Sequence, residues 1–303
     1  MLSFLFLSSI MTILTSCLVP TVSQTKHRLI ATLLVFQDVV VQTRQFHRTN
    51  MVGNAFTAVD FFNGWAIDEI IVLEISYSRD YLQKFIEIVE ELSRRCFVPL
   101  TIGGKITDLS LVHHYFRAGA DKIVVNTGAV NSPSIIPDIV RQYGSQCCVV
   151  SIDVKRDAHQ PSGYRVMADN GRQATDLDAL NWARKVQTLG AGEIIVNNVE
   201  YDGNKQGYDL TVVRLLSSAL SIPVIAMGGV GRWDDLVQGI VEGHADAVAA
   251  GNIFHYTEHS TKKAKEYMEA KGLLVRRSAF YKVHLPRRQQ YRPFQGSYTA
   301  AKQ

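Results

Sequence analysis

The two halves of this sequence repeat one another at a fixed offset. Ile102-Gly103-Gly104-Lys105 is followed by Ala120-Asp121-Lys122-Ile123-Val124, and 125 residues further on Met227-Gly228-Gly229-Val230 is followed by Ala245-Asp246-Ala247-Val248-Ala249. Gly192-Glu193-Ile194-Ile195-Val196 echoes Asp68-Glu69-Ile70-Ile71-Val72 at an offset of 124. Self-similarity of this kind takes precedence over other fold arguments, because a duplicated unit has to bury the same face twice. From Arg28 onward, short apolar β-rich runs alternate with helical patterns, the signature of βα units on a parallel sheet. Eight runs are counted, starting near Arg28, Glu69, Val98, Lys122, Cys147, Glu193, Pro223 and Ala245. Between them, Tyr81 to Ser93, Leu109 to Arg117, Leu177 to Leu189 and Leu210 to Ala219 space their apolar residues three and four apart. The count alone fits either a closed barrel or an open doubly wound sheet. The duplication favours a (β/α)8 TIM barrel of parallel strands, a half-barrel copied and closed on itself.

At 303 residues, 47% hydrophobic and 20% charged, the chain can bury one large core, and barrels of this type occupy about 250 residues as a single domain. The barrel is placed at 27–277, between an apolar leader, 1–26, and a basic tail, 278–303. That tail holds Lys282, Arg287, Arg288, Arg292 and Lys302 with no acid, so the formal net charge of +4 becomes −1 without it. Its aromatic residues, Phe280 and Tyr281 among them, interleave with the basic ones as in a nucleic-acid-binding arm. Short basic ends are more commonly solvated termini, and the neutral body argues against nucleic acid as a partner. The leader has the apolar stretch of a signal peptide but no Lys or Arg before Lys26, so it is either a signal or an over-extended start. Cys17, Cys96, Cys147 and Cys148 form no CxxC and no metal-ligand spacing, which suits a reducing cytoplasm and implies neither disulfides nor a metal. With no dinucleotide fingerprint at the first βα turn, no cofactor is expected, nor is membrane association.

In such a barrel the active site is built at the carboxyl ends of the strands, and phosphate commonly sits on the loops after strands seven and eight. Here those loops carry Gly228-Gly229 and Gly251-Asn252, and the repeat supplies a second set, Gly103-Gly104 with Asn126-Thr127. A single glycine pair is adequately explained as a tight corner. Two pairs on opposite sides of one mouth also fit a long ligand with an anionic group at each end. Asp153 ends an apolar strand at the same rim, where burial can tune a carboxylate for acid–base work, or where it can serve as a cap. Asp202-Gly203 is likewise either a second rim carboxylate or a turn. At the other end, Arg28, Glu69, Lys122 and Glu193 start strands one, two, four and six. Four inward charges require pairing, so they are expected to form one ring of alternating sign, a plug if the core is solid and a gate if it conducts.

The runs PLTIGGKI, GADKIVVNTGAV, GSQCCVVSIDVKR, LGAGEIIV, DGNKQGYDL, IPVIAMGGVG and FHYTEH resemble the HisF family, and the likeness covers Arg28 to Arg277. The resemblance implies the synthase subunit of a glutamine amidotransferase. In that family a HisH-type glutaminase releases ammonia, which passes through the charged ring to react with a doubly phosphorylated substrate, yielding imidazole glycerol phosphate and an aminoimidazole carboxamide ribotide. It implies that Arg28, Glu69, Lys122 and Glu193 are the gate, that Asp153 is one catalytic carboxylate, and that the glycine-rich cradles hold the phosphates. Four positions depart from the family pattern. The first strand reads Thr32-Leu33-Leu34-Val35 where the family reads CLDV, so Leu34 replaces the second catalytic acid. Gln42 replaces a first-loop lysine, Met227 a serine, and Asn252 another serine. Leucine cannot exchange a proton, and losing one of two such groups costs on the order of 10²-fold in rate.

Together with Tyr256-Thr257-Glu258-His259-Ser260-Thr261, this change makes the chain similar to HisF-like paralogues of surface-polysaccharide gene clusters. There the pair is thought to supply ammonia to a third, sugar-amidating enzyme. True histidine-pathway cyclisation and a non-catalytic, glutaminase-activating role are the competing expectations. A phosphosugar isomerase of the HisA type shares the duplicated barrel, but it also uses an acid on strand one, and Leu34 counts against it.

Overall fold

The computed structural model describes residues 26–277; the leader and the basic tail fall outside the described residues apart from Lys26. Strand β1 (Arg28–Phe36) is followed by the hairpin β2 (Val39–Arg44) and β3 (His47–Gly53), then α1 (Ala55–Gly64), β4 (Glu69–Glu74), α2 (Leu82–Ser93), β5 (Leu100–Gly103), α3 (Leu109–Arg117) and β6 (Lys122–Val125). Next come α4 (Thr127–Asn131), α5 (Ile135–Tyr143), β7 (Cys148–Arg156), a second hairpin of β8 (Tyr164–Ala168) and β9 (Gln173–Asp178), then α6 (Ala179–Thr188) and β10 (Glu193–Asn198). The chain closes with α7 (Leu210–Ala219), β11 (Val224–Met227), α8 (Trp233–Val241), β12 (Ala247–Ala250) and α9 (Ser260–Ala270). Parallel pairing runs β1–β4–β5–β6–β7–β10–β11–β12 and returns from β12 to β1, so the eight strands close into a barrel. All eight expected runs are barrel strands, and the open-sheet alternative is excluded.

Strand parity sorts the side chains into two cores. Leu29, Ala31 and Leu33 of β1 point outward with Ile70, Val72, Ile123, Val150 and Ile194 against the helices. Ile30, Ile71, Val124, Val149, Ile195 and Ile225 point inward and fill the barrel, as the period of two demands. Near-continuous apolar strands follow from burial on both faces. Helix starts are fixed locally: the carboxylates of Asp108, Asp178 and Asp209 accept from the first-turn amides of α3, α6 and α7, a side-chain cap that stabilises each helix by about 1 kcal/mol. Among the described residues, no helix is long and apolar enough to cross a membrane.

The two hairpins were not expected from the sequence. β3, His-Arg-Thr-Asn-Met-Val-Gly, is exposed along its whole length, so it carries no alternation to betray it. Its turn uses Gln45 and Phe46 at φ 51° and 63°, the double left-handed geometry that two-residue hairpins need but without the glycine that usually announces it. β5 starts at Leu100, two residues later than the run beginning at Val98.

Glycine is obligatory at some corners and incidental at others. Gly119 follows α3 at φ 103°, and a Cβ there would lie 2.4 Å from Ser93 Cβ; Gly64 ends α1 with open space around it. Gly119→Ala is therefore expected to destabilise by roughly 1–3 kcal/mol. Gly64→Ala should be neutral or gain up to about 1 kcal/mol. Chemical denaturation of both variants checks this, and equal effects would refute the assignment.

Candidate functional site

Two constructions share the barrel axis. At the amino-terminal end, Arg28 reaches Glu69 at 2.8 Å and Glu193 at 3.0 Å, while Lys122 reaches Glu69 at 3.1 Å and Glu193 at 3.0 Å. The four charges form a closed ring of alternating sign, as the sequence led one to expect. Thr101 Oγ1 adds a hydrogen bond to Glu69 Oε1 at 2.8 Å. Glu69 is 2% exposed, so its charge is tolerable only because two cations and a hydroxyl hold it. Burial works against the Arg28 charge, yet Glu193 and Glu69 outweigh it and hold its pKa above the ordinary value. Above the ring lies the inner apolar layer, and above that the mouth. From Glu193 to Asn197 along β10 the climb is about 13 Å at about 3.3 Å per residue.

At the carboxyl end the strand tips enclose a cavity of about 310 Å³. Asp153 of β7 lies in it, almost wholly buried, with Asn126 Nδ2 donating to Oδ2 at 2.6 Å and Ser151 Oγ to Oδ1 at 3.4 Å. Burial raises its pKa to about 7 against the lowering effect of the two donors, and nearby Asp202 adds to the rise. A carboxyl near half-ionisation at neutral pH can both give and take a proton. Leu34 and Leu73, in register on β1 and β4, line the same cavity where the resemblance implied a second acid. Met227 also lines it, and Thr32 Oγ1 donates to its sulfur at 3.7 Å.

The residues expected to cradle phosphate do gather at this mouth, Gly103 excepted: Gly104, Asn126, Thr127, Asp202, Gly203, Gly228, Gly229, Gly251 and Asn252 all line it. Several have other commitments. Asp202 Oδ2 accepts from Thr43 Oγ1 at 2.7 Å and from Phe46 N at 3.1 Å, and burial raises its pKa despite these donors. Asn252 Nδ2 donates to the Thr43 carbonyl at 2.9 Å. Gly203, at φ 66°, lies so close to that carbonyl that a Cβ would stand 2.1 Å from it. Thr127 Oγ1 accepts from Asp169 N at 2.9 Å, anchoring the β8–β9 turn. These side chains thus hold the two hairpins over the mouth. Gly103 is not a cavity residue; its missing Cβ makes room for Leu73 and Val124. Gln42 is buried under the first hairpin, accepting from Tyr256 Oη at 2.7 Å and Asn50 Nδ2 at 3.2 Å, and does not line the cavity.

Sequence reasoning overlooked other mouth residues. Glu74 closes β4, its Oε1 accepting from Ser76 N at 2.8 Å. Its Oε2, like Asn126 Oδ1 and Asn197 Oδ1, is buried without a hydrogen-bond partner among the described residues. Arg48, Arg79, Lys105 and Tyr77 also line the cavity. Lys105 was visible in the IGGKI run and Glu74 at a strand's carboxyl end; Arg48, on the irregular exposed strand, left no signal.

Because the folded pKa of Asp153 stands above the unfolded value of about 3.9, its stabilising effect is full at acid pH and lost as pH rises towards 7. Asp153→Asn should therefore gain on the wild type by on the order of 1 kcal/mol per pH unit between pH 4 and 7, and level off beyond. Denaturation across that range measures it; a pH-independent difference would contradict the raised pKa.

Comparison with known proteins agrees with this architecture. The histidine biosynthesis protein family matches residues 28–260. A Vibrio vulnificus (strain YJ016) protein, named provisionally as imidazole glycerol phosphate synthase subunit hisF2, is 41% identical over 254 residues, 84% of this chain and 92% of its own length. The imidazole glycerol phosphate synthase subunit HisF of Pelodictyon phaeoclathratiforme is 41% identical over 249 residues, covering 82% of this chain and 98% of that protein. With the duplicated barrel, the closed charge ring and the buried Asp153 at the mouth, these matches place the chain in the histidine biosynthesis protein family, as a homologue of the cyclase subunit HisF.

Proposed function

We propose that this barrel is the synthase subunit of a cytoplasmic glutamine amidotransferase, fed with ammonia from below by a HisH-type glutaminase and specialised away from imidazole formation. The observation that carries the reading is the pairing of an intact base with an altered mouth. The Arg28–Glu69–Lys122–Glu193 ring is complete, while Leu34 stands in the cavity where proton transfer needs an acid. In this reading the ring is the gate, and its opening exchanges one salt-bridge partner for another without leaving a charge bare. The apolar layer above favours neutral ammonia over ammonium, because an unpaired ion is costly to desolvate. At the mouth Asp153 exchanges a proton with the arriving nitrogen, beside a phosphorylated sugar-type ligand held among the hairpins. The ammonia so delivered serves a third enzyme that amidates a sugar for surface-polysaccharide synthesis.

A second reading is histidine-pathway cyclisation of a doubly phosphorylated ligand. It is favoured by the 41% identity to a HisF subunit over 98% of that protein and by the retained, tuned Asp153. Complementation separates the two. In a histidine auxotroph lacking its own cyclase, the wild-type chain is expected not to restore growth; restored growth would establish the second reading. Within the assembled amidotransferase, Asp153→Asn should lower transfer of glutamine nitrogen by about 10²-fold or more while glutamine hydrolysis continues. Unchanged transfer would leave the barrel only a glutaminase-activating partner.

A further inference from the structure

A second cavity, of about 300 Å³, lies beside the mouth, where the two hairpins meet. It is framed by the turn of each hairpin, Gln45 to His47 and Asn170 to Arg172, and by Lys155 and Glu200. Phe46, Tyr77 and Asn170 line both cavities, so they form the partition between them. Gly171, at φ 73°, lets the hairpins touch: a Cβ there would stand 2.9 Å from Phe46 Cδ2 and 3.1 Å from Val199 Cγ1. The volume falls at the lower end of the range for small-molecule sites, about 300–1,000 Å³.

Apart from the Tyr77 phenol, the ionisable side chains lining this cavity are His47, Lys155, Arg172 and Glu200. Arg172 is committed to its own turn: Nη2 bonds Asp169 Oδ1 at 2.7 Å, and the guanidinium lies 4.6 Å over the Tyr77 ring. Lys155 stands two residues past Asp153 on the same face of β7, roughly 7 Å further along the strand. Its half-buried side chain makes no hydrogen bond or ion pair among the described residues. The exposed Glu200 carboxylate accepts only a long bond, from Arg156 N to Oε2 at 3.5 Å. The two are not within ion-pair distance of each other, and the His47 ring, which can donate or accept, is likewise without a hydrogen bond among the described residues. With Arg172 balanced by Asp169, the cavity is left with one cation and one carboxylate. An anion alone would gain Lys155 and be repelled by Glu200, and a cation alone would meet the reverse. A molecule carrying both signs gains a charge-assisted hydrogen bond at each end.

We propose that this second cavity binds a free α-amino acid, its carboxylate on Lys155 and its ammonium on Glu200, with Phe46 and Val199 forming an apolar wall for its side chain. The α-amino acid is the small molecule in which both charges sit on one short frame, which suits a cavity of this size. Bound there, it touches both turns and the end of β10 at once, and so ties the two hairpins together over the mouth. The site lies across the partition from Asp153, so its occupant is an effector of the mouth and not the acceptor held in it. The proposal goes beyond the preceding reading and does not depend on ammonia arriving from below.

The test is direct binding to the full chain, without glutaminase or turnover, so that its failure and a failure of ammonia delivery are told apart. Each standard L-amino acid is titrated by calorimetry at low ionic strength, and for the tightest binder so are the amine that lacks its carboxylate and the acid that lacks its amino group. At least one amino acid is expected to bind, and each singly charged analogue to bind more weakly by about tenfold or more, the loss of one hydrogen bond between charged groups. Lys155→Met should weaken the amino acid by a similar factor while leaving the amine analogue unchanged, and Glu200→Gln should do so while leaving the acid analogue unchanged. Both side chains reach solvent, so both variants are expected to keep the wild-type melting temperature. In the wild type, the bound amino acid should slow amide exchange in both turns, Gln45 to His47 and Asn170 to Arg172. No binding by any amino acid would overturn the proposal, as would an analogue that binds as well as the amino acid. Full affinity in either variant, or slowed exchange confined to the mouth, would place the ligand elsewhere and overturn it too.

Discussion

Everything along the barrel axis depends on how Glu69 is held. It is a nearly inaccessible carboxylate at the foot of an apolar core, and it survives there because Arg28, Lys122 and Thr101 converge on it. Removing one of those partners would leave a buried charge exposed to the low dielectric, which is far worse than never having placed it. The same logic forces the ring to close through Glu193, since Arg28 and Lys122 would otherwise each carry an uncompensated share of positive charge. A closed alternating ring is electrically neutral and geometrically soft. Long side chains can exchange partners within it, which is what the proposed gate requires.

The mouth is governed by a different balance. Asp153 is buried beside only two donors, so desolvation wins and its pKa rises to about 7. Leu34 and Leu73 put apolar side chains into the same cavity, and Asp202, the acid that adds to the rise, is occupied with the first hairpin. The outcome is a tuned carboxyl beside Leu34 and Leu73, in a chamber that Glu74, Asp202, Arg48, Arg79 and Lys105 also line and two hairpins roof. Their attachment explains why several residues that read as phosphate ligands are also structural: Thr127 and Asp202 each satisfy a turn amide, and Asn252 a strand carbonyl.

The fold was readable because the repeat and the two-sided burial of the strands leave strong periodic marks, and the ring because charged residues at strand starts have few places to go. The rim was only partly readable. Spacing could locate Asp153 and the glycine corners but could not distinguish a glycine needed by an anion from one needed by a neighbour, such as Gly103 against Val124. It could not reveal the hairpins either, since β3 is exposed throughout and its turn lacks glycine. With the hairpins came Arg48 and the true employment of Asp202 and Asn252, neither of which follows from local pattern.

The central claim is that a small nucleophile enters at the ring and leaves at Asp153. The most direct check is a cryo-electron-microscopy structure of the chain bound to the HisH-type glutaminase of its own genome. The account predicts that the glutaminase covers the amino-terminal face, its active-site cavity opening over Arg28, Glu69, Lys122 and Glu193. A glutaminase docked over the mouth, on the helical flank, or not at all would contradict it.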